Sequence, residues 1–156
     1  MMESHLWQSI ISYWTKLNRP IRTGATLEEI VAFEQKYHVA LPADLSEYFQ
    51  TIDGTGIETS DEHLTSFLSL AEIRPVHECL DNSAGVVYSD RFAYPDCFVF
   101  ADHFYSSWLY AVQITSDSTN PGPVYRVTAS DIPGQIEARS FREFMTKYAN
   151  APISIL

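Results

Sequence analysis

Histidine and cysteine, the side chains most often used as nucleophiles, bases and metal ligands, are few and scattered in this chain. There are five histidines and two cysteines. His77 and Cys79 stand two residues apart, which matches no recurrent zinc-ligand spacing. Cys97 lies in an apolar segment six residues before His103, and a thiol buried in a strand is usually inert. We therefore expect neither a metal site nor a Cys-His catalytic pair.

The familiar glycine-containing catalytic motifs do not occur. The sequence contains no dinucleotide-binding or phosphate-binding glycine loop and no nucleophile elbow. Gly54 and Gly56 follow a predicted helix, whereas a phosphate cradle needs glycines before one. Glu34 falls on an apolar helix face. It is either a catalytic acid or base with a shifted pKa or an acceptor for backbone N–H groups near residues 41–42. We favour the backbone role, and we expect no enzyme activity and no cofactor.

Negative charge is concentrated in the middle of the chain. The formal net charge is −10, and residues 53–102 hold ten acidic residues against two arginines. Solubility alone would explain a net charge of this size. The acidic residues are interleaved with aromatic ones, however, which is typical of a surface that binds a basic protein. The same charge would repel nucleic acid and anionic lipid, so we expect neither as a partner.

The acidic and aromatic residues of this region are the candidate partner-binding residues. We expect the acidic ones to be solvent-exposed, because they fall in predicted loops at strand ends. The set consists of Asp53, Glu58, Asp61, Glu62, Asp90, Tyr94, Asp96, Asp102, Tyr105 and Trp108.

Composition indicates one globular domain over residues 1–156. Hydrophobic residues make up 46% of the sequence, which is ordinary for a folded protein. No apolar run reaches the ~18 residues needed to span a bilayer, and the N-terminus lacks the features of a signal peptide. We expect a cytoplasmic protein whose two cysteines are thiols. Near the N-terminus, Trp7, Ile10, Ile11 and Trp14 share one helix face, for which core packing is favoured over membrane-surface binding.

Hydrophobic periodicity predicts helices first and strands later. Thr26 and Glu29 form a predicted capping box for a helix with Leu27, Ile30, Val31, Phe33 and Tyr37 on one face. A second helix begins at Pro42 and carries Leu45, Tyr48, Phe49 and Ile52. A third is predicted from Ser69 until Pro75 ends or bends it. Ser140 and Glu143 start a last helix whose apolar residues are Phe141, Phe144, Met145 and Tyr148.

Four segments have the composition of strands, namely 65–68, 97–101, 108–114 and 124–127. Strands that follow helices in this way indicate an α+β fold, with helices packed on a mostly antiparallel β-sheet.

The sequence resembles the SUKH superfamily, the Smi/Knr-like domains. The resemblance rests on L-E-E-I-V-A-F-E-Q-K-Y-H-V-A-L-P-A-D-L-S-E-Y-F (residues 27–49), with its Phe33-Glu34 and Leu41-Pro42 pairs. Segments 17–26, 67–76 and 140–145 follow the family's order. Asp53-Gly54 stands where the family tends to have Asn-Gly, a mild departure because Asp also suits a helix end.

The resemblance implies a SUKH-like single domain that acts by binding proteins. Many bacterial members are immunity proteins that neutralise a cognate polymorphic toxin, often a basic nuclease or deaminase domain, in the cytoplasm. The alternative is a regulatory or scaffold protein without a toxin partner. A small-ligand or modifying enzyme is a third class, and the sequence shows no polar pocket for it. The toxin's identity and the oligomeric state stay open.

Overall fold

The computed structural model describes residues 2–56, 58–79, 96–104, 108–119, 122–127 and 135–156. Five α-helices and a final 3₁₀ helix occur in these ranges: α1 (Met2–Lys16), α2 (Leu27–Tyr37), α3 (Ala43–Thr51), α4 (Val76–Cys79), α5 (Phe141–Asn150) and the 3₁₀ helix Pro152–Ile155. The strands are β1 (Thr65–Phe67), β2 (Arg74–Pro75), β3 (Cys97–His103), β4 (Trp108–Gln113), β5 (Val124–Val127) and β6 (Gln135–Ala138).

The strands form one antiparallel sheet. Its order is β1-β3-β4-β5-β6, and β2 pairs with β3 beside β1. The predicted α+β class and all four predicted strand segments are confirmed. The sequence did not predict β2 or β6. Both are short, and Gln135–Ala138 has Ile136 as its only aromatic or branched residue, too weak a pattern for a strand prediction.

Local capping interactions fix where the helices begin. The Thr26 side chain accepts a hydrogen bond from the Glu29 amide, and the Glu29 carboxylate accepts one from the Thr26 amide. The hydroxyl of Ser140 caps α5 by accepting from the Glu143 amide at 3.0 Å. Each cap satisfies an amide that the first helical turn leaves without a partner.

Glu34 has the structural role that its position suggested. Its carboxylate accepts a hydrogen bond from the Leu41 amide at 2.7 Å. This bond ties α2 to the break before α3. An acidic residue on an apolar face thereby has a hydrogen-bond donor for its carboxylate.

The main core lies between the helices and one face of the sheet. α1, α3 and α5 contribute the fully buried Trp7, Trp14, Phe49, Phe144 and Tyr148. Successive strand residues point to opposite faces, so neighbours such as Phe98 and Val99 belong to different clusters. Val99 joins Leu68, Leu109, Ala111, Tyr125 and others in a second, smaller cluster.

Two helix predictions need correction. Leu27 is 65% exposed and Val31 is 41% exposed, so α2 buries a narrower face centred on Ile30 and Phe33. The predicted helix from Ser69 forms only a turn, although the Glu72 carboxylate does accept a bond from the Ser69 amide. Pro75 disfavours helical backbone geometry at the residue before it, Arg74. Arg74 and Pro75 therefore pair with β3, and α4 begins after them.

Candidate partner-binding surface

Strand register brings three of the predicted residues to one end of the sheet. Thr65 of β1 pairs with His103 of β3, and His103 pairs with Trp108 of β4. Asp102 lies one position before His103 in β3, and Glu62 precedes the first residue of β1 by three positions. Glu62, Asp102 and Trp108 therefore share the end of the sheet where β1 begins, β3 ends and β4 begins.

Glu62 presents its carboxylate to solvent at this end. Its side chain is 53% exposed, and its Oε1 lies 3.6 Å from His63 Nε2. The same oxygen accepts a hydrogen bond from the Tyr13 hydroxyl at 3.0 Å. Burial and this bond raise the pKa of Tyr13 above its ordinary value. Glu62 is thus held in position by α1 while it stays accessible.

Trp108 is half-buried within a packed group of side chains. Its ring stacks on His103 with centroids 4.1 Å apart, and the Arg126 guanidinium lies 4.7 Å from its centroid. Arg126 also pairs with Glu137 at 2.7 Å. Burial is the main reason that the pKa of His103 is lowered, which favours the neutral imidazole.

The structure corrects the predicted exposure of Asp61. It was expected on the surface but is only 1% exposed. Its Oδ1 accepts hydrogen bonds from the amides of His63 and Thr65, and its Oδ2 accepts one from the Tyr148 hydroxyl. A carboxylate used in this way organises the loop before β1 and is not offered to a partner.

The other predicted residues are dispersed or lie outside the description. Asp96 is exposed at the opposite end of β3 from Asp102, and six residues of strand separate them by ~20 Å. Asp53 accepts a bond from the Leu70 amide at 2.6 Å, and burial raises its pKa. Glu58 is exposed in the segment between α3 and β1. Asp90, Tyr94 and Tyr105 lie outside the described residues.

Two large apolar side chains at the same end of the sheet were not among the predicted partner-binding residues. Leu64 is 46% exposed and Phe104 is 48% exposed, and each adjoins the end of a strand. A lone leucine in a polar loop gives no signal in the sequence. Phe104 stood among the aromatic residues near the acidic ones, but the sequence does not show that it meets Leu64.

The side chains of the described residues bear on the expectations for metal ligands and for a reactive cysteine. No cluster of three His, Cys, Asp or Glu side chains that could hold a metal ion occurs among them. Burial, and secondarily Asp96, raises the pKa of the Cys97 thiol to about 12, so this cysteine is a poor nucleophile.

A groove of about 340 Å³ between α2 and residues 70–74 is lined by side chains that include Phe33, Lys36 and Tyr37. Across the described residues, no helix is long and apolar enough to cross a membrane.

Comparison with known proteins identifies the domain. The SMI1 / KNR4 family (SUKH-1) model matches residues 24–147, a range that runs from the lead-in to α2 to the last turn of α5. A search of curated proteins found no match. Because the family match covers most of the chain, the protein belongs to the SMI1 / KNR4 family (SUKH-1).

Proposed function

We propose that this protein is a non-catalytic immunity protein that binds and neutralises a cognate protein toxin in the cytoplasm. The observation that carries the proposal is membership of the SUKH-1 family over residues 24–147. The SUKH resemblance implies toxin neutralisation for many bacterial members. The toxin domain is expected to be basic, as nuclease and deaminase domains that act on nucleic acid often are.

Charge supports this assignment. Residues 53–102 carry ten of the twenty acidic residues and two of the ten basic ones, and Glu62 is accessible at the sheet end that Asp102 and Trp108 share. An acidic surface accelerates encounter with a basic partner. Once docked, the protein would block the toxin's substrate-binding face and occupy it with carboxylates in place of phosphates.

The test uses the toxin domain encoded beside the gene for this protein. We expect co-expression of the full chain to rescue growth of cells that produce the toxin domain. We also expect the two purified proteins to form a complex whose association rate falls as ionic strength rises. The absence of a neighbouring toxin gene, or a toxin that the protein neither binds nor inhibits, would overturn the proposal and favour the regulatory or scaffold role.

A second measurement locates the charge effect. Glu62→Lys should slow association strongly at low salt and less at high salt, because steering is screened within ~8–10 Å. Asp96→Lys is the matched control, since Asp96 is also exposed but lies at the opposite end of β3. Equal association rates for both variants and the unmodified protein at low salt would show that the acidic residues serve solubility and not association.

A further inference from the structure

Leu64 and Phe104 are two exposed apolar residues whose backbones are hydrogen-bonded to each other at one end of the sheet. Leu64 immediately precedes β1 and Phe104 immediately follows β3. The Phe104 amide donates a hydrogen bond to the Leu64 carbonyl at 2.9 Å, which extends the β1–β3 pairing by one step. Leu64 is 46% exposed and Phe104 is 48% exposed, so part of each side chain reaches the protein surface.

Leu64 and Phe104 both have an unusual backbone geometry. Leu64 has φ of 67° and Phe104 has φ of 46°, a left-handed region that bulky residues rarely adopt. The Leu64 amide donates to the Asp61 carbonyl, and the Asp61 side chain is itself anchored on Tyr148. The backbone at Leu64 is therefore tied to the buried core, and a main chain that is already positioned lowers the cost of binding.

The surroundings of this pair are negative. Apart from the buried Asp61, residues 58–66 and 102–104 hold three acidic residues and no lysine or arginine. Two arginines of the described residues are engaged elsewhere, since Arg19 donates to the Ser60 carbonyl and Arg126 pairs with Glu137. Apolar anchors within an acidic rim suit a protein surface that carries an apolar side chain among lysines and arginines.

We propose that Leu64 and Phe104 are the apolar anchors through which this protein docks on a basic protein domain, with Glu62 and Asp102 at the rim. The proposal rests on the proposed function and deepens it by naming the contact surface. A second copy of the chain is disfavoured as the occupant, because a two-fold interface would place each acidic rim against itself. Phosphate-bearing partners are disfavoured by the same charge.

Asparagine substitutions test the anchors while preserving the backbone. Asn tolerates positive φ better than Leu or Phe, so Leu64→Asn and Phe104→Asn remove apolar area with little expected effect on thermal unfolding. Binding of the full chain to the neighbouring toxin domain is measured by surface plasmon resonance. We expect each single variant to weaken binding by about tenfold or more, mainly through faster dissociation. Leu27→Asn, at a residue that is 65% exposed on α2, is the control and should bind normally.

Glycine variants are the replacement if an asparagine variant is destabilised. If an Asn variant melts at a lower temperature, Leu64→Gly and Phe104→Gly replace it, because glycine adopts positive φ without steric cost. Folded variants that bind as tightly as the unmodified protein would overturn the anchor proposal while the immunity role stands. An unmodified protein that does not bind the toxin domain would overturn the immunity role itself. Self-association of the unmodified protein that both Asn substitutions abolish would make a second copy the occupant and overturn the assignment to a basic partner.

Discussion

Tyr148 donates a buried hydrogen bond to Asp61 at 2.6 Å, which joins the last helix to the loop before the first strand. The Tyr148 hydroxyl in turn accepts a bond from Trp14 Nε1 at 2.9 Å. One hydroxyl thus connects α1, α5 and the loop that leads to Leu64. The candidate partner-binding surface is built on this buried network.

Removing that hydroxyl should destabilise the fold. Tyr148→Phe leaves the Asp61 carboxylate and the Trp14 N–H each without one buried partner, and we expect a loss of ~1–3 kcal/mol in the free energy of unfolding. Urea unfolding followed by circular dichroism measures it. Tyr13→Phe removes an exposed hydroxyl bond to Glu62 and should change the free energy by less than ~0.5 kcal/mol. Equal losses in the two variants would contradict a special role for the buried network.

Asp53→Asn should stabilise the protein at neutral pH. Burial raises the pKa of Asp53 above its ordinary value of 3.8, so the folded state binds this proton more tightly than the unfolded state. The charged carboxylate therefore costs stability once the pH exceeds its folded pKa. Asn keeps an oxygen for the Leu70 amide and tolerates the positive φ of 61°. We expect a gain in unfolding free energy at pH 7, kept small by solvent screening because the carboxylate is only half-buried.

The pH dependence of that gain identifies its cause. As the pH falls through the folded pKa and below 3.8, Asp53 becomes protonated in both the folded and the unfolded state. The difference in stability between the unmodified protein and the Asp53→Asn variant should then shrink. Unfolding curves at several pH values measure this difference. A gain that is constant down to acidic pH would attribute it to something other than desolvation of the carboxylate.

Phe49→Ala should cost ~3–5 kcal/mol of unfolding free energy. Phe49 is fully buried and packs against Tyr48 with ring centroids 4.9 Å apart, so truncation leaves a cavity in the main core. Leu27→Ala is the comparison, because it removes a large apolar side chain that is 65% exposed. Chemical denaturation of both variants checks this prediction, and a comparable loss at Leu27 would show that its side chain is part of the core.

Cys97 should be unreactive in the folded protein. Burial raises the pKa of its thiol to about 12, so only a small fraction is thiolate at pH 8. We expect Cys97 to resist iodoacetamide until denaturant is added. Mass spectrometry of the unfolded, unreduced protein should then show two alkylated thiols, at Cys79 and Cys97. A native bridge between them would leave neither cysteine available.

Local interactions were predictable from the sequence. The Thr26–Glu29 capping box and the start of α5 at Ser140 involve residues three positions apart, so their geometry follows from the helix itself. The role of Glu34 was also foreseen, because a carboxylate on an apolar face next to a helix break has few other donors. The α+β class followed from the order of helical and alternating segments.

The sequence by itself determined the family, most of the helices and strands and the excess of negative charge, whereas the tertiary structure decided which charged and apolar residues meet. Asp61 and Glu62 are adjacent in sequence, yet the first is buried against Tyr148 and the second faces solvent. Leu64 and Phe104 lie forty positions apart and become neighbours only when β1 pairs with β3. Pairing between distant strands depends on how the whole core packs, and no short stretch of sequence encodes it.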